Sequence, residues 1–447
     1  MKKLIVFVTF ISFFGFSQNL EYSDPDLQGI SKDRIERISE LSKSYVNNNK
    51  VANVTTIINR NGNIVYYKAF GQRGADDKRK IKKDDLYRIY SMTKPIVSVA
   101  IMQLYEKGLF HLNDPIENFL PEFKNLKIAI SKDSLVQAKN KITFKHLLTH
   151  TSGLSYGWTA HPSDFYFRKA DVWTSKSLDE FTKKISNVPL RFEPGTKYNY
   201  SVSTDILGAL IEKISGISLA KYLRNNIFKP LGMSDTFFEV PKDKQDRFLP
   251  NHRYNRNNNQ LETIQIDRFR ITDFDSGGGG LISTAYDYMI FAESLRNGGE
   301  FNGKRILGEK TLKYMVKNHL PRTVNGIGRG ESPTDPSVAA RTFGLGFGIL
   351  NNPPVASVIG SKGSYSWGGA AGTIFWVDPV EDLVVVSMIQ LMRSPWTLRN
   401  DLRVATYQSL TESYEWKTNS TINIEVKIGI LIWVLYTVGL TVGAIIA

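Results

Sequence analysis

The sequence predicts an α+β fold: an antiparallel β-sheet flanked by helices, with a mostly helical lobe inserted into it. Three stretches point there. Residues 54–71, "VTTIINRNGNIVYYKAFG", are two β-rich runs joined by Asn61-Gly62, a dipeptide that tolerates positive φ and favours a tight hairpin. Residues 372–390, "GTIFWVDPVEDLVVVSMIQ", hold two strongly apolar strands punctuated by Asp378-Pro379 and Glu381-Asp382. Between them in the chain, Ile96, Val97, Val99, Ala100, Ile101, Met102 and Leu104 make a helix greasy nearly all round, the pattern of a helix buried in the middle of a domain.

The elements follow in order. Residues 1–17 begin with Lys2 and Lys3, continue as an apolar stretch and end on Gly15 and Ser17, which predicts a signal peptide cut after Ser17. A domain of residues 18–412 comes next. It opens on a helix over 29–46, capped by Ser31, with Ile30 and Ile35 placed to staple its start. The hairpin follows, then the buried helix, ended near Gly108. Residues 110–270 carry helical periods and Pro-Gly punctuation, including the amphipathic run 203–216, and form the expected insertion. A strand is expected at 342–350, the two apolar strands at 372–390 and a closing helix at 394–411. Residues 413–427 are a polar tether. Residues 428–447 contain no charge and approach the ~20 residues that cross a bilayer, so the fold class includes a C-terminal transmembrane helix tethering an exported, periplasmic domain to the membrane.

Composition narrows the chemistry. The 447 residues are 42% hydrophobic and include no cysteine, which excludes disulfides, thiolate metal sites and cysteine nucleophiles together. Six scattered histidines form no H-E-x-x-H, and no metal or organic cofactor is expected. The net charge is +14, but its lysines and arginines are spread along the chain and no nucleic-acid-binding signature accompanies them.

Ser91 and Lys94 stand three apart at the mouth of the buried helix, hence on one face. A serine hydroxyl is a poor nucleophile until a neighbour takes its proton, and an amine shut among apolar residues favours its neutral, proton-accepting form. The serine's own N–H, at a helix start, is free to help hold an oxyanion. Taken alone, S-x-x-K also fits a helix cap followed by a solvated lysine.

The context decides between these. "SMTKP" at 91–95, "ITFKHLLTHTSGL" at 142–154, "FEPGTKYNYS" at 192–201, "DSGGGGLISTAYD" at 275–287 and "SYSWGGAAGTIFWVDP" at 364–379 come in this order. As an ordered set they resemble the serine β-lactamase and penicillin-recognising superfamily, in its class C branch, over nearly all of the domain. The resemblance implies Ser91 as nucleophile with Lys94 as its partner and Tyr200 as the tyrosine base, Tyr198 being the rival. It implies a third box at Trp367, Gly368 and Gly369, lining the substrate site on a strand beside Ser91, with Ala370 giving the second oxyanion N–H. A tyrosine of ordinary pKa near ~10 is a poor base at neutral pH, so either an ammonium favours its phenolate or the lysine is itself the base. His150 is expected to be structural, and Gly277 to Gly280 to permit close backbone packing.

Where β-lactamases and peptidoglycan peptidases carry a cation in the third box and an asparagine two after the tyrosine, this chain has Trp367 and Val202. Substrate carboxylates would lose a partner there, and Lys362 is the cation nearest in sequence. These departures resemble the family VIII carboxylesterases. The expected function is therefore a Ser-Lys-Tyr esterase of small uncharged esters. The alternatives are a class C-type β-lactamase or penicillin-binding D-Ala-D-Ala carboxypeptidase, with a β-lactam or peptide substrate, and a non-catalytic cell-envelope binding protein.

Overall fold

The computed structural model describes residues 20–264, 269–324, 326–327 and 340–416. Its centre is an eight-stranded sheet of β1 (Glu21–Tyr22), β2 (Asn53–Arg60), β3 (Asn63–Gly71), β4 (Arg341–Phe343), β5 (Gly348–Leu350), β6 (Tyr365–Gly368), β7 (Ile374–Asp378) and β8 (Leu383–Met388). Their spatial order is β1-β3-β2-β8-β7-β6-β5-β4, antiparallel throughout except where β1 lies parallel to β3. Asn61 and Gly62 both take positive φ, 54° and 82°, as the tight β2–β3 turn requires. The ends of the domain thus meet in the middle of the sheet: β2, from the first part of the chain, pairs with β8, from the last.

Side chains alternate between two covered faces, which is why the strands read as unbroken apolar runs. Ile57, Phe375, Val377, Val384 and Val386 enter the main core. Ile58, Trp376 and Val385 point the other way, onto α1 (Arg37–Asn47) and the closing helix, where Ile38, Tyr45 and Leu402 meet them. The helix expected over 29–46 is broken at Glu36: the Ser31 hydroxyl accepts from the Arg34 N–H at 3.2 Å and caps the short piece Lys32–Ile35 before α1, and Ile30 and Ile35 are both buried in this second core, as the staple pattern predicts.

The described residues between β3 and β4 all lie outside the large sheet. This stretch holds the central helix α2 (Thr93–Glu106), buried from Thr93 to Leu104, and α3 (Ser203–Ser215), closed by Gly216 at φ 73°. It also holds α4 (Ala285–Arg296), which packs on the sheet, and several short strand pairs, one of them extended by Leu391–Met392 from beyond β8. The closing helix is α5 (Leu398–Tyr407).

Two expectations are corrected. Residues 342–350 are not one strand: β4 and β5 pair as a hairpin, with Gly346 turning at φ 94° against the side chain of Ser98. An added Cβ there would stand 2.2 Å from the Ser98 oxygen, so glycine lets the turn sit on α2. The fold class is the α+β one without the C-terminal transmembrane helix. No helix among the described residues is long and apolar enough to cross a membrane, and residues 428–447 lie outside the described residues, as do residues 1–17.

Near the start of α4, Asp287 has a pH-dependent role in stability. It is buried and accepts from the Asp235 N–H at 2.7 Å and the Thr236 hydroxyl at 2.9 Å, yet burial pushes its carboxyl up to about 6. The folded state therefore holds this proton more tightly than the unfolded chain. The stability it contributes is complete below about pH 4 and lost as pH rises through about 6. Asp287→Asn is expected to be the more stable form at pH 7, by about 2–3 kcal/mol, with the advantage gone at pH 4. Urea unfolding of both proteins at the two pH values checks it; the same difference at both would contradict it.

Candidate active site

Ser91 lies in a single tight turn, Tyr90–Met92, that leads into α2. Tyr90 takes φ 43°, a left-handed conformation that costs energy in a bulky residue and is held by its surroundings. Its hydroxyl accepts from the Asn251 side chain at 2.9 Å. On one side, the Ile89 N–H donates to the Leu281 carbonyl at 3.1 Å. On the other, β6 packs against the turn, so close that a Cβ on Gly369 would stand 2.4 Å from the Ile89 carbonyl. The strand carrying Trp367, Gly368 and Gly369 is thus beside Ser91, as expected, and the glycine is what permits the approach.

The Lys94 side chain is 1% exposed. Its Nζ donates to the Gly278 carbonyl at 2.6 Å and the Tyr156 hydroxyl at 2.9 Å, and faces Ser91 Oγ at 3.4 Å. The two short bonds take two of the three positions on Nζ, and the third faces the serine hydroxyl. Gly278 can serve because the glycine run is pressed onto the start of α3. A Cβ on Gly278 would stand 2.3 Å from Asp205 Oδ2, and one on Gly277 2.5 Å from the Thr204 carbonyl. Asp205 is fully buried and fixes the loop from behind, accepting from the Gly278 N–H at 3.0 Å and from the Ser276 hydroxyl. Burial raises its carboxyl pKa, and Lys94 pulls against that rise.

The tyrosine bonded to Lys94 is therefore Tyr156, which the sequence reading did not single out. Tyr200 is brought to the same place by its ring: Lys94 Nζ lies 4.6 Å from the ring centroid, a cation–π contact. The Tyr200 hydroxyl is buried without a hydrogen-bond partner, and no bond joins it to Ser91 or Lys94. Its rival Tyr198 is half-buried, packed against His150 and Phe343. Burial, reinforced by Tyr200, Asp205 and Tyr198, pushes the Tyr156 phenol well above its ordinary range, so it is neutral at pH 7. His150 is buried, accepts from the Ser201 N–H at 3.3 Å, and is driven well below its ordinary range by burial and the Lys94 charge. Its ring packs against Tyr198, Tyr200 and Phe343.

Ala370 sits in the exposed turn after β6. The turn is closed by bonds from the Gly369 N–H to the Thr373 carbonyl at 2.9 Å and from the Gly372 N–H to the Gly369 carbonyl at 3.1 Å. Neither uses the Ala370 N–H. Trp367 lies between Tyr200, at 5.5 Å, and the edge of Phe343, at 5.1 Å, as an aromatic wall.

That wall is not purely apolar in its setting. A cavity of about 490 Å³ runs behind Trp367 and Tyr200, and Arg341, Arg399 and Arg403 line it. Arg399 braces the glycine box, donating to the Gly369 and Thr373 carbonyls. Arg403 is 9% exposed and its guanidinium lies over the Trp376 ring at 4.7 Å, but its Nη1 has no hydrogen-bond partner, and burial lowers its pKa. The exposed Lys362 does not line this cavity. The cations come instead from α5 and β4, which no spacing in the sequence connects to the third box.

With this geometry described, comparison with known proteins identifies the class. Residues 38–408 match the family model described as Beta-lactamase, and the chain belongs to that family. It is 28% identical to esterase EstB of Burkholderia gladioli, over 83% of this chain and 94% of that one. Among solved structures it is similar to EstCE1, a hydrolase with promiscuous acyltransferase activity, at 23% identity and TM-score 0.72, covering 85% of this chain and 99% of the other. It is also similar to the octameric penicillin-binding protein homologue from Pyrococcus abyssi, at 21% identity and TM-score 0.64, covering 85% and 78%. At these identities the structural likeness shows the fold alone.

Proposed function

We propose that the protein is a serine esterase acting through an acyl-enzyme on Ser91, with small uncharged esters as its substrates. The observation that carries this reading is the buried Lys94 amine, pinned by Gly278 and Tyr156 with its remaining direction toward Ser91 Oγ. Ser91 Oγ attacks the ester carbonyl while its proton passes to the lone pair of Lys94, which enters this step as the free amine and leaves it as the ammonium. The Ser91 and Ala370 N–H groups hold the oxyanion. As the intermediate collapses, the Tyr200 hydroxyl, with its bonding capacity unused, gives a proton to the departing alcohol and is refilled from Lys94. Water then enters, and the same groups run the steps in reverse order to free the acid. The family kinship with an esterase supports the choice of substrate.

A second reading is favoured by one observation, the unpartnered guanidinium nitrogen of Arg403 in the cavity behind Trp367. A desolvated cation there suits a substrate carboxylate, as a β-lactam or a D-Ala-D-Ala peptide carries. Side-by-side assay of ethyl acetate, a penicillin and a D-Ala-D-Ala peptide separates the readings. The esterase reading predicts turnover of the ester at least about a hundredfold above the other two in kcat/KM; the reverse ranking would replace it with the second. Export by residues 1–17 is proposed on their sequence alone.

A further inference from the structure

Trp158 is 72% exposed, an unusual position for the largest apolar side chain, and it is not loose. It stacks on Tyr156 with centroids 4.4 Å apart and planes 6° from parallel. Tyr156 in turn is near-parallel to Trp173 (12°), and Trp173 to Phe274 (11°). The file of parallel rings thus leads from the core to an uncovered indole.

The loop that presents the indole is fixed at several points. Asp164, fully buried, accepts from the Thr159 N–H at 2.7 Å, the Thr159 hydroxyl at 2.6 Å and the Ser155 hydroxyl. Arg168 donates to the Gly157 carbonyl at 2.7 Å. Gly157 turns at φ 76° with the Phe167 ring so near that a Cβ would meet it at 2.5 Å. A buried carboxylate, paired with Arg191 at 3.5 Å, and a glycine turn that no side chain could enter thus hold the exposed indole in one direction. The cleft beside it, about 220 Å³, is bordered by Trp158, Tyr156 and Tyr200, the last at 6.4 Å and 42° from the indole. Tyr156 belongs to both structures, since its ring is in the stack and its hydroxyl holds Lys94.

We propose that this shelf is a subsite for a flat aromatic ring carried on the acyl side of the ester, stacked on Trp158 while the carbonyl sits at Ser91. The assignment rests on the esterase reading and narrows its substrate class to arylalkanoyl esters. Aliphatic rings have the area to cover an indole but lack the π-face that a parallel stack rewards.

The test compares methyl 3-phenylpropanoate with methyl 3-cyclohexylpropanoate, following acid release. The cyclohexyl ester is the more hydrophobic, so burial alone cannot favour its partner. Wild type is expected to prefer the phenyl ester by about three- to tenfold in kcat/KM. Trp158→Leu is expected to bring the ratio to about one, and Trp158→Phe to keep most of it. The ratio is read within one preparation, so the fraction of a variant that folds does not enter. A wild-type ratio near one, or a ratio unchanged in Trp158→Leu, overturns the subsite and leaves the esterase reading standing. Failure of wild type to hydrolyse either ester, or ethyl acetate, overturns both.

Discussion

Ser91→Ala is expected to abolish ester hydrolysis, lowering kcat by about 10⁴-fold or more while the protein stays folded. The size follows from what the hydroxyl does. Every other group described around it binds or moves a proton, and none forms the bond to the acyl carbon. Alanine removes one oxygen from a half-buried turn whose conformation is fixed elsewhere: by the Ile89 and Leu281 backbone bond, by Tyr90 and Asn251, and by Gly369 just after β6. The thermal unfolding midpoint should accordingly change little. Steady-state hydrolysis of ethyl acetate together with that midpoint checks the expectation. Retention of more than about a tenth of the wild-type rate would show that another residue is the nucleophile.

The second large effect separates the two tyrosines. Tyr156→Phe removes one of the two short bonds that aim Lys94, so it should slow attack by about a hundredfold whatever the leaving group. Tyr200→Phe removes a hydroxyl with no partner in the protein, which in this account protonates the departing oxygen. An alkoxide needs that proton and p-nitrophenolate does not. Tyr200→Phe should therefore lose about a hundredfold on ethyl acetate and less than about tenfold on p-nitrophenyl acetate. Tyr156→Phe should lose equally on both. The opposite pattern, with the leaving-group dependence in Tyr156→Phe, would exchange their roles.

The sequence reveals most where local pattern and tertiary need coincide. Asn61-Gly62 announces its hairpin because only residues at ease with positive φ close so tight a turn. The helix at 93–106 is readable because burial on every side leaves no polar face. Ser91 and Lys94 are found because they share one helix mouth, so their distance in the chain predicts their distance in space. Tyr156, Asp205 and Arg403 carry no such signal. Each reaches the site through a different element, and its importance lies in one atom meeting another across the fold. Register from a Pro-Gly turn could place Tyr200 in the site but not the direction of its hydroxyl. The strand expected at 342–350 failed for a similar reason. Alternating apolar residues and glycines suit one strand or two, and the packing of Gly346 on Ser98 decides for two.

The measurement that bears most directly on the central claim is to quench turnover of a slowly released aryl ester in acid and find the acylated peptide by mass spectrometry. A single acyl group on the peptide containing Ser91, formed by wild type and at least about a hundredfold more slowly by Lys94→Met, is the predicted result. An acyl group on any other residue, or equal acylation rates in the two proteins, would contradict it.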